Sequence, residues 1–276
     1  MRYGIILLIP IILPLHAMSG GEFFVAGGRS LAMGRVSVSI TDFWSVYNNQ
    51  AANAFVVNSG AGISIENRYL VKELSYKIVA ATIVLKPGSI GIVATHFGTS
   101  VYSEIKAGII FARKFGKFFA VGVQLDYLRF HIAEDYGTKN LFSFEVSFFY
   151  KATKGLSAGL QVINPVPLRL TDDPKEYLPT LIRLGISYAF SPSFITSVEM
   201  EKDLDHPPII RAGAEYRFCK PLAARIGVAA NPATFTFGVG LTMGRFDLDV
   251  SSGYQPILGF TPGLSLIYGF GKNGKR

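Results

Sequence analysis

The residues able to do chemistry in this 276-residue chain fall into two sets. The first comprises His16, His96, His131 and His206, with serines and acidic residues scattered between them. A serine hydrolase needs a histidine oriented by a carboxylate or amide beside a serine, and no serine motif accompanies any of these histidines. Their spacing suits no zinc site, Asp172 and Asp173 read as part of a polar loop, and no Gly-rich phosphate loop joins a strand to a helix. The sequence therefore predicts no enzyme, metal or cofactor. The second set carries both signs of charge at alternating positions: Glu66, Arg68, Lys106, Asp126, Glu145, Arg183, Glu199, Glu201, Arg211, Glu215, Arg217, Arg225, Arg245, Asp247 and Asp249. An isolated charge in a low-dielectric site is costly, so residues of this kind pair or touch water. If they face one enclosed space, a salt-bridged and largely filled interior is the leading expectation. A water-filled pore and a greasy ligand tunnel are the alternatives, the tunnel lacking a continuous run of large apolar side chains.

Alternation fixes the elements that must carry this set. LFSFEVSFFYKA puts Phe142, Phe144, Val146, Phe148 and Tyr150 on one face and Ser143, Glu145 and Ser147 on the other. From residue 60 the chain falls into period-two segments separated by turn residues, at 60–71, 74–86, 89–97, 103–115, 117–131, 139–152, 155–163, 180–190, 193–204, 207–218, 221–231, 233–243, 245–255 and 259–270. A helix would need a period near 3.6, which these segments lack. Each is long enough to cross a bilayer at a tilt, which takes about nine to eleven residues. The connections KPGS, KFGK, ATKG, FSPS, CKP and MGR are short, whereas AEDYGTK, NPVPLRLTDDPKEYLP and DLDHPP, on the opposite side by parity, are longer. Sorting by length is the mark of an outer-membrane barrel with short periplasmic turns and longer extracellular loops. The fold class read here is all-β, a transmembrane antiparallel up-and-down barrel of fourteen strands with an N-terminal plug, both termini lying in the periplasm of a Gram-negative bacterium.

Composition agrees. Aromatics reach 13% and charged residues only 17%, against roughly 25% charged in ordinary soluble chains. MRYGIILLIPIILPLHAMSG has Arg2, an apolar core and small residues near Ala17 and Ser19, the layout of a secretory signal spanning 1–19. Cys219 stands alone and reads as a packing residue. A net charge of +8 could suggest nucleic acid, but the basic residues are scattered singly, and several fall at strand ends where they could meet lipid phosphates. Residues 20–59 form the proposed plug, 60–271 the barrel and 272–276 a short basic tail. Within the plug, Thr41 or Asp42 could cap a helical turn through Trp44 and Tyr47. Arg29, Arg35 and Asp42 should find partners among inward charges such as Glu199, Glu201, Arg211 and Glu215.

The run GGRSLAMGRVSVSITDFWSVYNNQAANAF resembles the N-terminal signature of the FadL-like outer-membrane barrels, especially the related PorV and PorQ barrels of type IX secretion. Ala32, Met33 and Gly34 match the small-residue turn, Val36 and Val38 the valine-rich stretch, and Asp42 the acidic position. Asn49, Gln50 and Ala51 stand where Asn-Pro-Ala would be, with Gln50 in place of the proline and Asn53 near the family's leucine. The resemblance implies a hatch inside the barrel built on Arg29, Met33, Gly34, Arg35, Asp42, Trp44, Tyr47, Asn48, Asn49 and Gln50. It also implies a non-enzymatic, membrane-anchored component that meets a secretion-system or other outer-membrane protein as well as lipid. The alternative is a transporter or channel for small molecules, hydrophobic ones included, with the N-terminal segment as gate. The loop at 164–179, rich in proline and acid, is the best candidate for a partner or ligand contact.

Overall fold

A computed structural model describes residues 24–133, 137–171, 176–204 and 206–270; the predicted signal at 1–19 and the tail at 272–276 lie outside the described residues. Period-two sequence becomes strand throughout. The first seven strands are β1 (Gly60–Asn67), β2 (Ser75–Val84), β3 (Gly88–Gly98), β4 (Tyr102–Phe115), β5 (Phe119–Ile132), β6 (Gly137–Lys151) and β7 (Leu156–Ile163). A small hairpin follows, β8 (Leu168–Thr171) and β9 (Glu176–Leu178). The remaining strands are β10 (Leu181–Ser191), β11 (Phe194–Asp203), β12 (Ile209–Cys219), β13 (Leu222–Ala229), β14 (Thr234–Met243), β15 (Phe246–Gln255) and β16 (Gly259–Gly269).

Fourteen of these strands close into one barrel, each antiparallel to its neighbours in chain order, with β1 returning to β16 from Gly60↔Gly269 to Glu66↔Gly263. Every predicted segment corresponds to a barrel strand. Closure matters physically because backbone amides facing lipid have no water to bond, and a ladder without edges gives each a partner. Among the described residues no helix is long and apolar enough to cross a membrane. The outward row on β6 is exposed at Phe142, Phe144 and Tyr150, while Glu145, Ser147 and Phe149 are buried on the inner face. At the short-turn end the outward aromatics gather into a girdle, with Phe115 near Phe119, Phe190 near Phe194, Tyr216 near Phe218 and Phe246 near Tyr268.

Two local expectations need correction. The first segment ends at Asn67 rather than 71, because Arg68–Leu70 and Lys72–Leu74 fold as 3-10 turns and Tyr69 and Leu70 adopt φ of 55° and 59°, which a strand cannot use. The connection at 164–179 is not wholly loop, since β8 and β9 pair within it.

Arginine at Phe237, which is outward-facing between Ile226 and Ser252, should cost about 2–4 kcal/mol if the site lies near the bilayer midplane. Arginine at the exposed turn residue Lys117 should fall within about 0.5 kcal/mol of the parent. Reversible unfolding in lipid measures both, and equal costs would mean that the outward face does not meet acyl chains.

Candidate functional site

The barrel interior is occupied by residues 24–58, which run from the long-connection end to the start of β1. Phe24 stacks on Tyr76 with ring centroids 3.8 Å apart, and the Arg68 guanidinium lies over the Phe24 ring, 4.2 Å from its centroid. Asn48 holds the next turn through two amide bonds, donating to Ala26 O and accepting from Ala26 N, both at 2.9 Å. Gly27 N donates to Ser64 Oγ on β1 at 3.2 Å, and Gly28 N to Ser265 Oγ on β16 at 2.9 Å.

Helix α1 (Gly28–Ala32) then packs on β13 to β15. Past it, Gly34 turns at φ 69° and donates its N–H to Thr236 Oγ1 at 2.7 Å, while Thr236 returns a bond to Ala32 O at 2.8 Å. Glycine is required on both sides of this contact. A Cβ on wall residue Gly227 would fall 2.0 Å from Gly34 N, and one on Gly213 would fall 2.3 Å from Met33 O. Backbones can approach this closely only where no side chain intervenes. Met33 packs with Val36 and Ile40 in a small buried cluster.

Two single-turn helices follow, α2 (Ser45–Asn48) and α3 (Gln50–Asn53). The expected side-chain cap from Thr41 or Asp42 does not form. Instead Ser45 Oγ accepts from Asp42 N at 3.0 Å and donates to Ile40 O at 3.0 Å, while Asn49 caps α3 by accepting from Ala52 N at 3.2 Å. Trp44 is buried edge-on to Phe43, with centroids 5.0 Å apart.

The inward charges assemble into paired groups that include this segment. Arg183, with no exposed surface, donates to Glu199 Oε1 at 2.6 Å, to Gln161 Oε1 at 2.8 Å and to Asn48 O at 3.2 Å, and also bonds Ser37 Oγ. The other Glu199 oxygen accepts from Ser37 N at 2.7 Å and Val38 N at 2.8 Å. Arg211 grips Glu201 with two bonds, at 2.8 and 3.0 Å. Arg29 grips Glu215 likewise at 2.8 and 2.9 Å and reaches Asp42 at 3.4 Å, and Arg225 bridges Glu215 at 2.7 Å to Asp249 at 2.5 Å. Lys106 pairs with Glu145 and lies 3.4 Å from Asp126. Gln50 Nε2 donates to Glu145 Oε2 at 2.8 Å and to Gln124 Oε1 at 2.9 Å.

Of the segment's charges, Arg29 meets the inward Glu215 and Arg35 the inward Glu66, as expected, but Asp42 meets the segment's own Arg29. Glu199 is met by backbone N–H groups instead. The inward set loses one member. Arg245 is exposed in a turn and donates to Tyr268 OH at 3.3 Å, because the turn at Gly244 breaks the alternation there. Arg217, 41% exposed at the rim, still lies 3.8 Å from Glu215, Asp247 accepts from Thr242 Oγ1 at 2.7 Å, and Arg68, in a 3-10 turn beyond β1, is buried 3.6 Å from Glu66. The single hydroxyls and amides that seat the segment, Ser64, Ser265, Thr236, Ser147 and Gln161, were not singled out by sequence. Their signal is only their place on the inward row.

Toward the long connections a cavity of about 60 Å³ opens above the segment. Its floor is polar, with Tyr47 and Tyr76 bonded hydroxyl to hydroxyl at 3.0 Å beside Lys106 and Asp126, and its upper wall is Leu128, Phe130, Leu178 and Leu181. The β8–β9 hairpin covers it. β6 pairs with β7 only from Glu145 to Lys151, so its outer half stands above β7, and Leu168, Leu170 and Leu178 of the hairpin pack against Leu128, Phe130 and Leu141 on this taller wall. A second cavity, of about 130 Å³, is lined by Arg35, Glu66, Arg68, Arg211, Thr234 and Thr236 among others. Concave sites with apolar walls and a few fixed polar groups suit small molecules. The described histidines lie apart, His131 bonding Thr138 at 2.9 Å and His206 bonding Asp203 at 2.6 Å.

A closed fourteen-strand antiparallel barrel of this kind is the fold of the FadL-like outer-membrane proteins. The Pseudomonas aeruginosa FadL homologue matches with a TM-score of 0.68 at 11% identity, covering 92% of this chain and 100% of that one. The P. putida toluene transporter TodX matches at 0.66 and 11%, covering 89% and 98%, and the Ralstonia pickettii toluene transporter TbuX at 0.63 and 13%, covering 91% and 98%. At these identities the likeness is one of fold. No protein-family model and no curated protein sequence matches the chain.

Proposed function

We propose that the chain is a non-enzymatic outer-membrane barrel that admits small, largely apolar molecules from the long-connection side, with residues 24–58 as its gate and both termini periplasmic. The observation that carries this reading is the mouth cavity, apolar where the hairpin covers it and polar where it meets the segment. The toluene transporters of the same fold support the substrate class. A ligand entering there would displace few bonded groups, and only movement of the segment below would let it pass.

The test is planar-bilayer conductance and vesicle uptake of toluene against a sugar, for the intact protein and for a form lacking residues 21–58. The intact form should be nearly closed to ions yet take up toluene, and the shortened form should conduct. Equal conductance by both, or no toluene uptake, would sink the gate. The largely filled, salt-bridged lumen favours a second reading, a non-conducting anchor of the PorV or PorQ type whose hairpin engages a secretion-system protein. On that reading neither ions nor toluene would pass, and the 164–179 connection would carry the contact.

A further inference from the structure

We infer that the short-turn end of the barrel holds anionic phospholipid headgroups of the leaflet beside it. Its turns and their flanks carry Lys86, Arg113, Lys117, Lys151, Lys154, Lys220 and Arg245. All of these are exposed, and among the described residues the acid beside them is Asp247, already bonded to Thr242. The opposite end mixes signs, with Glu73 beside Lys72 and Asp203 beside Lys202. Most of the excess positive charge therefore lies on one rim, without counter-ions from the protein itself.

The aromatic girdle gives the second observation. Rings such as Phe115, Phe119, Tyr216 and Phe218 mark the depth where acyl chains give way to headgroups, and turn cations such as Lys117 and Lys220 lie two residues beyond Phe115 and Phe218. Long basic side chains bury their stems and leave the charge in water, so at this depth the ammonium groups meet phosphates. The Arg113 guanidinium already lies over the Phe115 ring, 5.9 Å from its centroid. The densest arc joins two neighbouring turns, Lys117 with Lys151 and Lys154, whose backbones touch where Lys151 N donates to Phe118 O at 2.7 Å. A ring around the rim, continuous with the girdle, fits a leaflet better than an acidic protein, which would need a single patch. The inference rests on the reading that the strands cross a bilayer, and is independent of whether the pore opens.

Native mass spectrometry of the full mature chain, from micelles holding equal phosphatidylglycerol and phosphatidylcholine, reads the preference directly. The anionic lipid should be retained at least about tenfold over the zwitterionic one, and the ratio should fall as salt rises. The combined variant Lys117→Gln, Lys151→Gln and Lys154→Gln should bring the ratio near unity. Lys72→Gln, Lys77→Gln, Arg129→Gln and Lys139→Gln, at the other end, should leave it unchanged. If the first set fails to fold, the exposed pair Lys117→Gln and Lys154→Gln should still lower the ratio. Equal retention of both lipids, or loss of preference only in the long-connection set, overturns the inference. So does displacement by inorganic phosphate at matched concentration, which would indicate a free-anion site, or by polyglutamate, which would indicate an acidic polypeptide. A chain that enters neither lipid overturns the bilayer reading itself, whereas an inserted chain without preference overturns only this one.

Discussion

Replacing Glu199 with alanine should destabilise the folded chain by about 3–5 kcal/mol in reversible unfolding in lipid, because it strands a buried cation. Arg183 has no exposed surface, and Glu199 is its closest carboxylate; Glu201 stands off at 3.5 Å and is already gripped by Arg211. The same change frees Ser37 N and Val38 N, whose acceptor is the second Glu199 oxygen. Protease added from the short-turn side should then cut residues 36–42 in the variant and spare the parent. Glu199→Gln, which keeps shape and an acceptor while losing the charge, should cost less. A cost below about 1 kcal/mol for the alanine variant would mean that water reaches Arg183 and that the lumen is wet.

Valine at Gly227 should open the barrel without unfolding it. Strand preference alone favours valine over glycine, so the sign of the effect is diagnostic. A Cβ there meets Gly34 N at 2.0 Å and Met33 C at 2.3 Å, backbone atoms that no rotamer change can move aside. Overpacking of this kind costs about 1–3 kcal/mol where the neighbours can shift. Here the neighbour able to shift is the segment, since the wall is held by ladders on both sides. Ion conductance should therefore rise toward that of the form lacking residues 21–58, while the fold survives as judged by heat-modifiability on gels. A closed variant of normal stability would show that the segment is not seated against β13.

The barrel was legible because its two faces meet different solvents: Phe235, Phe237 and Val239 alternate with Thr236 and Gly238, and that contrast needs no tertiary knowledge. Most inward charges were legible for the same reason, and the failure occurs where alternation stops, at Arg245 beside Gly244. The segment's route was not legible. It is held by Gly227, Thr236, Ser147 and Ser265, whose importance comes from what lies across the lumen rather than from any local pattern. The hairpin was missed because Leu168 and Leu170 alternate over too few residues to stand out from a proline-rich loop.

The bonds from Gly27 and Gly28 bear on how the molecule is assembled. Ser64 and Ser265 face each other across the junction of the first and last strands, the one place where the sheet must be joined end to end. Successive peptide N–H groups of a segment made before either strand reach one hydroxyl on each side of that seam. A chain that zipped shut first would have to thread the segment in afterwards, and one seated on a single side would leave an amide unbonded in a dry interior, at about 1–3 kcal/mol. The segment thus acts as a clasp, and the order of synthesis delivers it to the first strand well before the last strand arrives to complete the ring.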